Sequence, residues 1–147
     1  MTEDFIVRNP VSKAEFNEYY KLRWQLLRAP WNQAKGSEKD ELEEKSIHRV
    51  AVKNEKIIAT GRLHFINEST AQIRYMAVHE KHLKNGVGTA ILKSLENYAT
   101  ENNIKKIILH SRENAVDFYK KNNYQLIKPS HLLYKTIQHY EMQKNFK

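Results

Sequence analysis

Two glycines separated by one residue stand where a strand-like stretch of the chain passes into a helix-like one. Gly86 and Gly88 follow the stretch 72–78 and open an apolar helical pattern that runs to Leu95. Glycine lets a backbone come close to a ligand, and the first amides of a helix are unpaired and carry partial positive charge. Phosphate binds well at such helix starts. The junction is therefore a candidate phosphate site, although two glycines also precede helices by chance.

The absence of cysteine narrows the chemistry open to this chain. With no cysteine among 147 residues, disulfides, thiolate metal sites and cysteine nucleophiles are excluded. Seven histidines are present, and none pairs with carboxylates at helical metal-ligand spacing, so we expect no metal. The length predicts a single domain over residues 1–147.

The charge balance points to an anionic partner. The chain has 25 basic and 17 acidic residues and a net charge of +8. Such a surplus suits either nucleic acid or a polyphosphate cofactor. No apolar run approaches the roughly 20 residues that cross a bilayer, and the N-terminal residues lack the layout of a signal peptide. The sequence therefore predicts a cytoplasmic protein without membrane contact.

The N-terminal third predicts a strand followed by helices. Residues 5–8 form a short strand, and Ser12 with Glu15 fits a capping box that starts a helix. The apolar stripe of that helix comprises Phe16, Tyr20, Trp24 and Leu27. Residues 37–44 predict a second, short, acidic helix. Its acidic side chains serve either as a lid that attracts a cationic acceptor or as a solvated face.

The middle of the chain predicts an antiparallel meander and a crossover. Residues 48–53, 57–65 and 71–78 alternate with period two and are joined by short turns, which cannot connect parallel strands. The helix that opens at the two glycines leads to a buried strand at 105–111. A helix between two strands implies a parallel crossover. The strand carrying Met76 and the strand carrying Leu109 should therefore lie side by side.

The C-terminal part predicts one more helix and two strands. Asn114 is a suitable N-cap for the helix, and Asn123 can take the left-handed conformation that ends it. A strand at 124–128, a loop at Pro129 and Ser130, and a last strand at 132–137 follow. The fold class is α+β, with a mixed, mostly antiparallel sheet of six or seven strands flanked by about four helices.

These elements together resemble a known family. The meander, the segment MAVHEKHLKNGVGTAIL and the segment IILHSRENAVDFYKKNNYQLI are similar to the GNAT superfamily of acetyl-CoA-dependent N-acetyltransferases. The most specific feature is the Gly-x-Gly junction combined with Asn114, Phe118 and Tyr119, which stand shortly before Tyr124. Nearly the whole chain is covered. The opening helix and the ending QHYEM also resemble the branch of small bacterial acetyltransferases that includes ElaA.

The resemblance implies a V-shaped cleft that holds acetyl-CoA. The strand ending near Val78 should splay from the strand ending near Ser111. Main-chain groups of that first strand would pair with the pantetheine arm, and the junction would wrap the diphosphate. The cofactor-binding residues that this implies are Met76, Ala77, Val78, Lys84, Asn85, Gly86, Val87, Gly88, Thr89 and Asn114. One departure is Leu83, where the family pattern has Gln or Arg.

The resemblance also implies direct transfer of the acetyl group to a primary amine. Tyr119 matches the family's tyrosine that protonates the departing thiolate, although a packed core tyrosine is the alternative. The general base is not fixed by the sequence, and the candidates are His110, His64 and Glu44. Arg28 and Trp31 could shape the acceptor pocket together with Glu44 and His64, although packing also explains the first two.

Other functions stay open at this point. A GNAT fold could bind acyl-CoA as a sensor without turnover, which the departure at Leu83 favours and Tyr119 opposes. A nucleic-acid-binding domain is the third reading, but the basic residues form no aromatic-interleaved stripe and match no recognition motif. We therefore expect acetyl-CoA and an amine acceptor as partners, with no nucleic acid. A homodimer is common in the superfamily, and the acceptor amine is not identified.

Overall fold

The chain builds one seven-stranded mixed sheet in the computed structural model, which describes residues 4–147. The strands are β1 (Phe5–Arg8), β2 (Ile47–Lys53), β3 (Lys56–Phe65), β4 (Thr70–Val78), β5 (Lys106–Arg112), β6 (Gln125–Leu133) and β7 (Ile137–Asn145). The helices are α1 (Lys13–Leu27), α2 (Val87–Glu101) and α3 (Val116–Lys121). Their spatial order in the sheet is β1-β2-β3-β4-β5-β7-β6. All neighbours are antiparallel except β4 and β5. The predicted fold class is confirmed, with three α-helices and additional short 3₁₀ turns.

Two local features that the sequence predicts are present, namely the capped start of α1 and the tight turn between β2 and β3. Ser12 caps α1 by accepting a hydrogen bond from the backbone N–H of Glu15. The Glu15 carboxylate reaches back to the N–H of Val11 and to Arg8, rather than to Ser12 itself. Asn54 and Glu55 both have positive φ, 52° and 65°, which is the geometry of a tight hairpin between antiparallel strands.

The parallel pair β4 and β5 separates partway along its length. Their register runs from Thr70 opposite Lys106 to Ile73 opposite Leu109. β4 then continues to Val78 alongside β3, while β5 continues to Arg112 alongside β7. The V-shaped splay that the family resemblance implies is therefore present.

Helices α1 and α2 cover opposite faces of the sheet. Successive residues of β2, Val50 and Ala51, belong to two different apolar clusters. One cluster contains Tyr19 and Leu22 of α1, and the other contains the buried stripe of α2. Since strand side chains alternate between faces, each face packs against its own helix. None of the helices within residues 4–147 is long and apolar enough to span a bilayer.

In the N-terminal half, one prediction is confirmed only in part and another is wrong. Helix α1 buries Tyr19, Leu22 and Arg23 most deeply, whereas Phe16 and Tyr20 of the predicted stripe are partly buried and pack against the same apolar cluster. The acidic stretch 37–44 forms turns, with only a 3₁₀ turn at Glu43–Lys45, because its side chains are bound to arginines and not arranged along a helix.

The C-terminal predictions are wrong at three places. β6 runs through Pro129, which an edge strand tolerates because the missing N–H can face solvent. The predicted strand at 132–137 is interrupted by a turn with positive φ at Tyr134 and Lys135, and β7 begins only at Ile137. Asn114 is not an N-cap, since it lies in a 3₁₀ turn before α3 and Ala115 occupies the cap position without a side-chain bond. Asn123 does adopt the left-handed conformation.

Candidate active site

A deep concavity lies where β4 and β5 separate. It has a volume of about 570 Å³ and is lined by both strands, the end of α1, the start of α3, and β6 and β7. It brings together seven of the residues selected from the sequence: Arg28, Met76, Ala77, Val78, His110, Asn114 and Tyr119.

The edge of β4 that faces this cleft is shaped by a bulge. Tyr75 has a φ of 58°, and the register between β3 and β4 shifts beside it. Thr60 supports the bulge, because its hydroxyl donates to the carbonyl of Tyr75 at 2.9 Å. Such strain in a non-glycine residue persists only where its surroundings hold it, and it is often found at functional sites.

Beyond the bulge, the backbone of β4 offers unpaired groups to the cleft. The N–H of His79 donates to Ile58 of β3 at 2.8 Å. Because amide directions alternate along an antiparallel strand, the N–H groups of Val78 and Met76 point away from β3 and toward the cleft. An extended ligand could pair with this edge as an added strand would.

The start of α2 lies next to the end of β4. Gly86 occupies the N-cap with a φ of 80° and provides no side-chain hydrogen bond, so the amides of the first turn have no such partner. A Cβ at Gly88 would lie 3.2 Å from the Phe118 ring and 3.5 Å from Val78. Glycine therefore lets the first turn of α2 approach both β4 and α3.

The remaining residues of this loop are mostly exposed. Lys84, Asn85 and Gly86 face solvent, whereas Val87 is buried. The Thr89 hydroxyl lies 3.5 Å from the side-chain amide of Asn122. Leu83 is also exposed, at 54% of its surface.

Tyr119 lies on α3 with its side chain against the cleft. Only 6% of it is exposed, and its ring packs edge-on against Phe118 and Tyr124. No group within residues 4–147 forms a hydrogen bond with its hydroxyl. Burial raises the pKa of Tyr119 above its usual value, so the phenol keeps its proton at neutral pH.

Three histidines from three strands line the cleft on its other side. His110 of β5 has its Nδ1 3.1 Å from the hydroxyl of Ser130. The rings of His131 and His139 stack at 4.2 Å, and His131 lies 5.6 Å from the His110 ring. Burial lowers the pKa of His139 to about 4, with further lowering by His131 and Arg112 against an opposing hydrogen bond to the backbone of Ile137.

The sequence did not identify His131 and His139 as site residues. They stand on either side of the turn at Tyr134 and Lys135, and the hairpin brings them together. The sequence feature that could have identified them is that the two histidines stand at nearly equal distances, in residues, from this turn. A Tyr-Lys pair carries none of the usual preference for positive φ, so the turn is not visible from composition.

Two arginines whose hydrogen-bond partners among residues 4–147 include no carboxylate meet at the end of α1. Arg28 Nη1 and Arg112 Nη2 each donate to the carbonyl of Leu27 at 3.0 Å. Trp31 lies beneath the Arg112 guanidinium at 4.6 Å, which places this tryptophan behind the cleft wall and not in its lining.

The acidic stretch is neutralised by three other arginines. Asp40 binds Arg62 through both oxygens, at 2.6 and 3.0 Å, and Arg74 at 2.9 Å. Glu43 binds Arg23 at 2.8 and 3.0 Å and Arg62 at 2.8 Å. These ion pairs fasten the stretch to α1, β3 and β4.

The other two candidates for the general base, Glu44 and His64, lie outside the cleft. Glu44 is exposed on the 3₁₀ turn at Glu43–Lys45. His64 is buried on β3, where its Nδ1 lies 3.3 Å from Arg62. Burial and the charge of Arg62 lower the pKa of His64. Within residues 4–147, no group of three or more His, Cys, Asp or Glu side chains is placed to hold a metal ion.

Comparison with known proteins identifies the family. A model of the acetyltransferase (GNAT) family matches residues 16–124. The chain is 33% identical over 106 residues to the uncharacterized N-acetyltransferase YjcF of Bacillus subtilis (strain 168), covering 72% of this chain and 75% of that protein. The chain therefore belongs to the acetyltransferase (GNAT) family, and the predicted enzyme class, an N-acetyltransferase, is confirmed.

Solved structures share the fold at low sequence identity. An N-acetyltransferase structure from Lactobacillus plantarum superposes with a TM-score of 0.83 at 18% identity, covering 99% of this chain and 100% of that one. A GNAT acetyltransferase from Elizabethkingia anophelis, with acetyl-CoA bound, gives 0.80 at 16% identity over 99% and 100%. Escherichia coli ElaA gives 0.76 at 15% identity over 97% and 99%, so it is one neighbour among several and does not define a branch for this chain.

Proposed function

We propose that this chain transfers an acetyl group from acetyl-CoA to a primary amine by direct attack. The observation that carries the proposal is the cleft itself. The unpaired edge of β4 and a buried phenol with an unbonded hydroxyl line it, and the open N-terminus of α2 lies next to the end of β4. A family relative of the same fold binds acetyl-CoA.

In this proposal the cofactor lies along β4 and ends at α2. Main-chain groups of Met76 and Val78 hold the pantetheine arm, with Ala77 between them. The amides of Val87, Gly88 and Thr89 bind the diphosphate, where the helix start favours negative charge. The exposed groups of Lys84, Asn85 and Gly86 lie at the same loop, and Asn114 contacts the cofactor from the opposite side.

Tyr119 acts as the general acid. The amine nitrogen attacks the acetyl carbonyl carbon, and the carbon–sulfur bond breaks as the electron pair leaves on sulfur. Tyr119 then gives its proton to that thiolate, and a general acid of this kind contributes typically about 10²- to 10⁴-fold. The position of the phenol supports this role, because Tyr119 lines the cleft and its hydroxyl has no hydrogen-bond partner within residues 4–147.

His110 is the general base among the three candidates. It lines the cleft, whereas Glu44 and His64 lie outside it. If Nδ1–H donates to Ser130, the other ring nitrogen is free to accept the proton that the amine must lose. Arg28 belongs to the acceptor end of the same cleft, and Trp31 supports that end through Arg112.

The substitution Tyr119→Phe tests this mechanism. We expect kcat to fall by about 10²-fold or more while the affinity for acetyl-CoA changes little, because only the transition state uses the hydroxyl. Release of free thiol measures turnover, and calorimetric titration measures cofactor binding. Tyr140→Phe serves as a control outside the cleft lining. Unchanged turnover in Tyr119→Phe would reject the assignment.

The same assay separates the alternative functions. A sensor would bind acetyl-CoA without releasing thiol with any amine. Salt-dependent binding to DNA or RNA, without a response to acetyl-CoA, would favour a nucleic-acid-binding domain. The cytoplasmic location, the absence of nucleic-acid and membrane partners, and a homodimer remain predictions, and light scattering would test the last of these.

A further inference from the structure

The acceptor end of the cleft is rich in cations and has no acid in its lining. Among the described residues that line the cleft there are three arginines and three histidines, and none is Asp or Glu. Asp40 binds Arg74 of the lining without lining the cleft itself, and Glu141, which pairs in register with His110, does not line it either. This distribution differs from the expectation that acidic residues draw in a cationic acceptor.

The acidic residues that prompted that expectation are already occupied. Asp40 and Glu43 share three guanidinium groups, those of Arg23, Arg62 and Arg74. Two carboxylates against three guanidinium groups leave the network with an excess of one positive charge. The network therefore presents no free carboxylate to a ligand amine.

Arg28 and Arg112 add two more positive charges beside this network. Their bonded partners within residues 4–147 are backbone carbonyls and not carboxylates. The carbonyl of Leu27 lies at the end of α1, where the helix dipole supplies roughly half a negative charge. Half a charge does not balance two guanidinium groups, so the pair remains electropositive.

The position of the pair separates it from the cofactor phosphates. Arg28 and Arg112 bond to the last residue of α1, which covers one face of the sheet. The diphosphate-binding site proposed at the start of α2 lies on the opposite face of the sheet. Arg28 is also 92% buried, since only 8% of it is exposed, so it is held in place before any ligand arrives.

We propose that the acceptor is a primary amine that also carries a carboxylate, which Arg112 binds with support from Arg28. This inference rests on the proposed acetyl transfer. Arg112 donates one of its two Nη2 hydrogens to Leu27, which leaves the second Nη2 hydrogen to pair with a neighbouring N–H of the same guanidinium in a fork that binds a carboxylate. With the carboxylate there, the amine of the same molecule extends toward His110 and the thioester.

Capping of α1 is the competing explanation for the two arginines. A cap needs one cation to satisfy the Leu27 carbonyl, and here two cations converge on it. Their mutual repulsion contributes to lowering the pKa of Arg112, for which burial is the larger cause. A pure cap would gain nothing from the second charge, whereas a carboxylate ligand would be bound by both.

Matched acceptor pairs test the inference directly. Each pair consists of an amino acid and its carboxamide, over several spacings between amine and carboxyl, assayed by thiol release with acetyl-CoA. We expect at least one spacing at which kcat/KM for the acid exceeds that for the carboxamide by about tenfold or more, as a charge-assisted contact predicts. Arg112→Gln should remove this preference, chiefly by raising KM for the acid, so that kcat/KM for the acid and for the carboxamide become similar.

Arg49→Gln is the matched control variant. Arg49 is likewise half-buried and bonds to neutral groups, the Ser94 hydroxyl and the His48 carbonyl, but it lies away from the cleft. It should keep the preference for the acid. Arg112→Lys should restore part of that preference, because the charge returns without the planar fork.

The outcomes separate this inference from the proposed function. Thiol release with carboxamides or cationic amines at every spacing, without preference for the acids, would overturn the carboxylate inference alone. Absence of thiol release with every amine would count against acetyl transfer. In that case, calorimetric titration of the amino acids into the protein saturated with CoA still tests the carboxylate inference. Binding that Arg112→Gln abolishes supports the inference, and binding that is absent or unaffected overturns it.

Discussion

At the scale of single residues, burial sets which cleft side chains carry charge. It raises the pKa of Tyr119 and lowers that of His139, so the phenol holds its proton and this imidazole is neutral at pH 7. Arginine stays charged even where burial lowers its pKa, as at Arg112. The cleft thus combines a proton donor, neutral imidazoles and fixed cations. The proposed transfer to an amine that carries a carboxylate would use all three kinds of group.

The buried imidazole of His139 makes stability depend on pH. The pKa of His139 in the folded chain is about 4, below the ordinary value for histidine. Between these two values the unfolded chain binds more protons than the folded one, so the free energy of unfolding falls as pH decreases through this window. We expect His139→Gln to show a shallower decline between pH of about 6.5 and 4.

Urea unfolding at several pH values measures this dependence. The decline should not vanish in the variant, because burial also lowers the pKa of His48, His64 and His131. His82→Gln is a suitable control, since that histidine lies in the loop before α2 and away from the cleft. An identical decline in the wild-type chain and in His139→Gln would show that His139 is not the responsible group.

At the scale of elements, the ion pairs of Asp40 and Glu43 hold the stretch between α1 and β2. Arg62 has no exposed side-chain surface and binds both carboxylates. Removing one partner from a buried guanidinium is costly, although the second carboxylate remains. We expect Asp40→Asn to lower the free energy of unfolding by about 2–3 kcal/mol, toward the lower end for a broken buried pair.

The pH profile of this variant provides an independent measurement. Desolvation works against ionisation of Asp40, but its hydrogen bonds from Arg62 and Leu42 outweigh it and lower its pKa to about 2. A depressed carboxyl pKa stabilises the fold above its unfolded value of about 3.9, and that contribution is lost as pH falls toward 2. Asp40→Asn should lack this part of the acid-induced loss. Glu41→Gln, an exposed neighbour, should stay within about 0.5 kcal/mol of the wild-type chain.

The sequence was sufficient to predict the elements that local signals define. The capped start of α1, the meander and the crossover through α2 follow from periodicity and turn residues, and they place β4 beside β5. The splay came from the family resemblance. The acidic stretch was misread because Glu and Lys favour helix locally, whereas its long-range pairs with Arg23 and Arg62 decide its conformation.

The C-terminal hairpin shows why part of the site could not be predicted. Pro129 suggested a loop, and nothing at Tyr134 and Lys135 signalled a turn, so the strands on either side were misplaced. The pairing of His131 with His139 depends on that hairpin. Arg112 could not be selected from the sequence either, because whether an arginine has a carboxylate partner depends on which groups the fold places around it.

At the scale of the whole molecule, the splay of the sheet leaves one backbone edge of β4 without a partner strand, where a bound ligand could supply the missing hydrogen bonds. β4 pairs with β5 as far as Ile73 and Leu109, and beyond that point its edge faces the cleft. We expect saturating acetyl-CoA to slow hydrogen exchange most at the amides of Met76 and Val78 and at 87–89. A ligand at a hundred times its Kd stabilises the folded chain by about 2.7 kcal/mol, which corresponds to a rise in Tm of roughly 5–10 °C.

Exchange mass spectrometry with overlapping peptides can resolve this pattern. Peptides from β1, the outer strand at the opposite edge of the sheet from β6, supply the internal control, because they share any global stabilisation but contribute no residue to the cleft. Free CoA should protect 87–89 as acetyl-CoA does, since both carry the diphosphate. Protection that is uniform along the chain would mean that the ligand acts only through global stability, and protection confined to other strands would place the cofactor elsewhere. Local protection at both the β4 edge and the α2 start requires one ligand that spans them, as a pantetheine arm ending in a diphosphate does.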